Sequence, residues 1–80
     1  MRLRVSHNQG RIVGREATDD LLECLHGQAD TIAERVGEHE LDVVLLGSYS
    51  ESAMQRHLEQ RVRAWEAARA ASGIHVEVGN

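Results

Sequence analysis

The sequence contains no proline, no lysine and no phenylalanine, and it has one cysteine, Cys24. Because every basic residue is arginine, the composition indicates a GC-rich coding bias, as in an actinobacterium or its phage. A single cysteine excludes an internal disulfide framework and suits a reducing compartment. No apolar run approaches the ~18 residues of a membrane span, and the N-terminus lacks the apolar core of a signal peptide. We therefore expect a cytoplasmic protein without a membrane partner.

The length of 80 residues predicts one small domain over residues 1–80. A domain of this size buries only about 60% of the surface of its unfolded chain, so self-association is a common way to gain stability. The ordinary proportion of apolar and charged residues argues against disorder.

The net charge of −4 is unevenly distributed. The first fifteen residues carry four arginines and no acid, whereas the remainder carries five arginines against thirteen acids. The four N-terminal arginines are Arg2, Arg4, Arg11 and Arg15. They indicate either a basic binding edge or a solvated edge hairpin whose charges discourage aggregation.

The N-terminal residues predict a β-hairpin. Arg2–Val5 alternates polar and apolar side chains, residues 7–10 have turn chemistry, and Arg11–Arg15 resumes the extended pattern. With a two-residue loop, Leu3, Val5 and Ile12 share the buried face. The four arginines then share the opposite face, which makes them the candidate binding residues.

The next segment predicts a first helix that begins at an N-cap, Thr18, and ends before Gly37. Apolar residues recur at helical spacing from Leu21 to Val36. Gly27 interrupts this run and predicts a bend or a break into two shorter helices. Cys24 lies at the edge of the apolar stripe and is predicted to be a structural residue.

A strand over Leu41–Gly47 and a second helix organise the rest of the chain. The consecutive aliphatic residues 43–46 indicate a strand that is covered on both faces. Ser48 and Glu51 form a predicted capping box for a helix that ends at Gly73. Trp65 lies on the apolar stripe of this helix and is predicted to anchor the core.

In the last segment, Ile74–Val78, apolar and polar side chains alternate, which predicts a strand with one solvent-exposed face. The chain is therefore predicted to be α/β, with α+β as the alternative class. Its architecture is ββαβαβ, a four-stranded mixed sheet with an N-terminal hairpin and two helices in two layers.

Few residues carry specific chemistry. The strand-to-helix loop with Gly47, Ser48 and Ser50 is an alternative anion-binding site, but it lacks a lysine and contains Glu51. Five histidines are present, at positions 7, 26, 39, 57 and 75, and no pair has zinc-motif spacing. We therefore expect no metal, no cofactor and no catalytic residue.

These observations favour a small non-enzymatic protein–protein interaction module. If both helices cover one face of the sheet, either Val43 and Leu45 or Val44 and Leu46 remain on the open face, which predicts a homodimer or a hetero-complex there. Helices on both faces would instead cover all four residues within the monomer. The alternative function is nucleic-acid binding by the arginine face, although the acidic total and the lack of aromatics there oppose it.

Overall fold

The computed structural model describes residues 1–11, 13–47, 49–69 and 72–79. Its elements are β1 (Arg2–His7), α1 (Arg15–His26), β2 (Thr31–Arg35), β3 (Glu40–Leu45), α2 (Glu51–Ala67) and β4 (Ile74–Gly79). The four strands form one open sheet in the order β2-β3-β1-β4. The predicted two-layer arrangement of one four-stranded sheet and two helices is confirmed, and of the two predicted classes the structure has the alternative, α+β. Every neighbouring strand pair is antiparallel, so the sheet is not mixed.

The chain runs βαββαβ, with β1 in the interior of the sheet between β3 and β4. The crossover from β1 through α1 to β2 skips one position in the sheet, and β3 fills it. This arrangement is the ferredoxin-like, or split βαβ, topology. Because such folds carry many unrelated functions, the topology alone assigns none.

The second strand of the sheet is not the one that the sequence predicted. The expected turn closes after β1, where the Gly10 N–H donates to the His7 carbonyl at 3.0 Å. The chain then enters α1 at Arg15 instead of returning as the second strand of a hairpin. Ile12, which the hairpin prediction placed in the core, lies outside the described residues.

The physical reason for this difference is the position of β1. Leu3 and Val5 are 0% and 2% exposed, because β1 has a strand on each side and helices above it. A hairpin at the edge would cover one side only. The alternating pattern of a strand shows which face is buried, but it does not show which segment pairs with it.

The predicted first helix is divided into a helix and a strand. α1 begins after Gly14 rather than at Thr18, and it ends at His26 with Gly27 as its C-cap. Residues 31–35, which fit helical spacing, instead form β2 on the edge beside β3. The β-branched pair Thr31-Ile32 favours a strand, and pairing satisfies the backbone groups of β3 that would otherwise lie at an exposed edge.

The core lies between the helices and one face of the sheet. Its buried apolar side chains come from both helices and from strands β1, β3 and β4: Leu3, Val5, Leu21, Leu25, Leu41, Val43, Leu45, Leu58, Val62, Trp65 and Val76. The predicted burial of Trp65 is confirmed at 4% exposure.

α2 begins after Ser50, whose hydroxyl accepts a hydrogen bond from the Ala53 N–H at 3.2 Å. This cap replaces the predicted one at Ser48, which lies outside the described residues.

Polar side chains also join the two helices. The Trp65 indole N–H donates to the Asp20 carboxylate at 3.0 Å, and Arg69 pairs with the same carboxylate. The Arg69 guanidinium lies 4.6 Å from the centre of the Trp65 ring. The otherwise buried indole N–H is therefore satisfied. In the part of the chain that the structure describes, no helix is long and apolar enough to cross a membrane.

Candidate interaction surface

Both helices pack on the same side of the sheet, which leaves the other side as an open face. The side chains on this open face alternate with the core residues along each strand: Arg2, Arg4, Ser6, Ile32, Glu34, Glu40, Asp42, Val44, His75 and Glu77. The prediction that residues 43–46 are covered on both faces is wrong, because the helices cover one face of β3 only. Val43 and Leu45 are 0% and 2% exposed, whereas their neighbour Val44 is 43% exposed.

One corner of the open face is apolar. Ile32 of β2 lies directly opposite Val44 of β3. Leu46 directly follows β3, and the alternation of the strand places it on the same side as Val44. Their exposures are 55%, 43% and 51%. We call these three residues the apolar patch. The spacing of Ile32 relative to its apolar neighbours predicts a helix. The alternation from Thr31 to Arg35 is also compatible with the strand that forms.

The row beside the apolar patch contains charges of both signs. Glu34, Asp42 and Arg2 lie opposite one another on three successive strands. In the following row, Glu40 and Glu77 lie on either side of Arg4. The Arg2 guanidinium donates to Glu40 at 3.0 Å. The open face is therefore a mixed-charge surface rather than a basic one.

The four N-terminal arginines do not share one face of the sheet. Only Arg2 and Arg4 project from it; Arg11 lies in the loop after β1, and Arg15 begins α1. Arg15 is 3.8 Å from Asp19, one helical turn along. The predicted basic face depended on the hairpin register, and it is lost because the hairpin does not form.

Both edges of the sheet are partly covered by side chains from the helices. At β4, the backbone N–H of Val76 donates to Glu66, and the Val76 carbonyl accepts from Arg63 at 3.0 Å. At β2, the His26 ring nitrogen donates to the Ala33 carbonyl at 2.9 Å. These contacts occupy backbone groups that another strand would need for pairing. The open face is thus more accessible to a partner than these edge positions are.

The predicted anion-binding loop is used for local structure. Gly47 has a φ of +129°, and a side chain there would meet the Tyr49 ring at 3.1 Å. The hydroxyl of Ser50 caps α2, and Glu51 begins that helix. The carboxylate of Glu51 stands where the helix dipole would otherwise favour an anion. Nothing in the described part of the loop indicates a ligand.

Several of the remaining titratable groups form ion pairs, among them Asp30 with Arg61. Among the described residues, no three His, Cys, Asp or Glu side chains are arranged to hold a metal ion. Cys24 is exposed on α1, although its position at the edge of the apolar stripe predicted a structural residue. Mainly because Arg61 donates to Asp30, the pKa of the Asp30 carboxyl is lowered, while the pKa of Arg61 is raised.

Comparison of the chain with family models, with curated proteins and with solved structures gives no match. The split βαβ topology defines the class of fold, and the open face with its apolar patch is the surface from which a function can be inferred.

Proposed function

We propose that this protein is a small non-enzymatic interaction module that self-associates through the open face of its sheet. The observation that carries this proposal is the apolar patch. Ile32, Val44 and Leu46 are each about half exposed at one corner of the face, next to a row of charges. An exposed apolar patch beside polar groups is typical of interaction surfaces.

A second copy of the chain is the partner that this surface fits best. The row beside the patch has Glu34 and Asp42 next to Arg2, so it does not select a partner of one sign. Two copies that dock patch to patch bring both signs together at the rim, where they are able to pair with each other. A chain of this size buries little apolar surface by itself, so burial of further apolar surface in a dimer increases its stability.

The contact should be weak. A standard interface buries about 800 Å² per partner, and three half-exposed side chains supply only part of that area. We therefore expect a reversible dimer with a dissociation constant that is roughly micromolar or weaker. The mixed charges of the face also disfavour nucleic acid, since a phosphate backbone requires a net positive surface.

Light scattering over a range of protein concentrations tests this proposal. The apparent mass of the wild-type protein should rise with concentration, and Val44→Glu should remain monomeric, because the substitution places a charge in the apolar patch. Gln60→Glu is the matched control: it adds the same charge at an exposed position of α2. This control should associate as the wild type does.

Two results would overturn the proposal. One is a wild-type protein that stays monomeric at every concentration; the other is a folded Val44→Glu variant that associates as strongly as the wild type. Salt-sensitive binding of DNA or RNA oligomers by that monomer would instead favour the nucleic-acid alternative.

A further inference from the structure

A second surface feature lies at the other end of β1 from the apolar patch. It is a concavity of about 310 Å³, between the end of β1, the loop that follows it and the turn before β3. Arg4, Ser6, His7, Arg11 and His39 contribute its polar lining. Among the described residues, the lining contains no carboxylate. An acidic protein therefore has a local site whose titratable groups are all basic.

The two arginines of this concavity are available for a ligand. Arg4 lies between Glu40 and Glu77 on the open face, but Glu40 is bound to Arg2. In the described part of the chain, neither Arg4 nor Arg11 has a carboxylate within ion-pair distance. Both arginines line the concavity, so an anion bound there would be attracted by two positive charges.

His39 also lines the concavity. The carbonyl of this residue accepts a hydrogen bond from the Val5 N–H at 2.8 Å, which fixes the residue against β1. Its ring nitrogen Nδ1 is buried and, within the described residues, has no hydrogen-bond partner. A buried polar atom without a partner costs free energy.

We propose that this concavity binds a phosphate-type oxyanion. The forked guanidinium group matches the oxygens of phosphate, and Arg4 and Arg11 together offer more donors than a single carboxylate can accept at two oxygens. The volume is at the lower end of the range for small-ligand sites. It suits inorganic phosphate or a small phosphomonoester, which present the same chemistry to the site.

This inference does not depend on the proposed dimer. Arg4 lies opposite Glu40, four residues along β3 from Val44, so the two features are separated by about 14 Å. A protein that binds phosphate could be monomeric, and a dimer could fail to bind phosphate. A negative result in the phosphate titration would therefore not contradict the dimer, and a monomeric protein would not contradict phosphate binding.

Titration of the full chain with inorganic phosphate, at constant ionic strength and followed by two-dimensional amide NMR, tests the inference. Saturable shifts should be centred on Ser6, Arg11 and His39. Arg4→Gln and Arg11→Gln should each weaken binding about tenfold, as loss of a charge-assisted hydrogen bond predicts. Arg56→Gln removes an exposed arginine from α2 and should leave the affinity unchanged.

Parallel titrations with glycerol 3-phosphate and with acetate identify the ligand class. Tighter binding of the ester than of free phosphate supports a phosphomonoester, whereas equal or weaker binding supports phosphate itself. Three results would overturn the inference: no saturation by either phosphate compound, acetate binding as tightly as phosphate, or equal weakening by Arg56→Gln. Arg4 and Arg11 are exposed, so their variants should fold, and unchanged amide spectra without ligand would verify this.

Discussion

Arg61 binds both carboxylate oxygens of Asp30, through hydrogen bonds of 3.0 and 2.8 Å. The same guanidinium donates to the Thr31 hydroxyl at 2.8 Å. α2 is thereby joined to the turn that leads into β2. Because the bidentate pair favours the ionised carboxylate, it lowers the pKa of Asp30 below the ordinary value of 3.8.

The first prediction concerns the pH dependence of stability. A carboxyl group whose pKa is lower in the folded state stabilises the fold fully above its unfolded pKa, and this contribution is lost as the pH falls through the folded pKa. Asp30→Asn should therefore lower the melting temperature at neutral pH. The difference from the wild type should shrink once the pH falls below 3.8.

Glu23→Gln is the control for this measurement, since Glu23 is an exposed acid on α1. It changes the net charge by the same amount, and we expect little effect on the melting temperature. A difference between Asp30→Asn and the wild type that is constant from neutral to acidic pH would contradict the role of the Asp30–Arg61 pair.

The second prediction concerns Trp65. Trp65→Ala should destabilise the fold by about 3–5 kcal/mol, because it removes a large buried side chain and leaves a cavity. Trp65→Phe retains most of the apolar contacts but loses the indole donor to Asp20, and it should cost about 1–2 kcal/mol. Urea unfolding measures both. A Trp65→Ala variant with an unchanged unfolding midpoint would disprove this packing.

The third prediction compares two neighbours on β3. Val43 is fully buried, so Val43→Glu should cost about 3 kcal/mol or more or prevent folding. Val44 projects from the open face, and Val44→Glu should change the stability of the monomer by only about 0.5 kcal/mol. Circular dichroism during thermal unfolding distinguishes them. Equal destabilisation by the two variants would require that both faces of the sheet are covered.

The fourth prediction concerns the edge of the sheet at β4. Glu66 accepts a hydrogen bond from the Val76 N–H, and its side chain is only 15% exposed. Glu66→Ala should accelerate hydrogen exchange at the Val76 amide and cost about 1–3 kcal/mol. Glu77→Ala, at an exposed position of the same strand, is the control. Unchanged exchange at Val76 in Glu66→Ala would show that the carboxylate does not cover the edge.

The candidate surface could be predicted only in part. The run from Val43 to Leu46 indicated that two aliphatic side chains would be exposed if both helices lay on one side, and Val44 and Leu46 are those residues. Ile32 completes the patch, but it was not predicted as a surface residue of a sheet, because its spacing fits a helix. The basic concavity was not predicted, because Arg4 and His39 are 35 positions apart and meet only when β1 lies next to the turn before β3.

The elements with local signals could be predicted from the amino-acid sequence. α2 follows from the spacing of its apolar residues, and β4 follows from the alternation of Ile74 to Val78. The tertiary structure decided which segments pair. Residues 31–35 fit a helix or a strand, and the free edge of β3 selected the strand. β1 lies in the interior because pairing on both sides buries Leu3 and Val5 more completely than a local hairpin does. Such non-local gains in buried apolar area and backbone hydrogen bonding are not encoded in any short stretch of sequence.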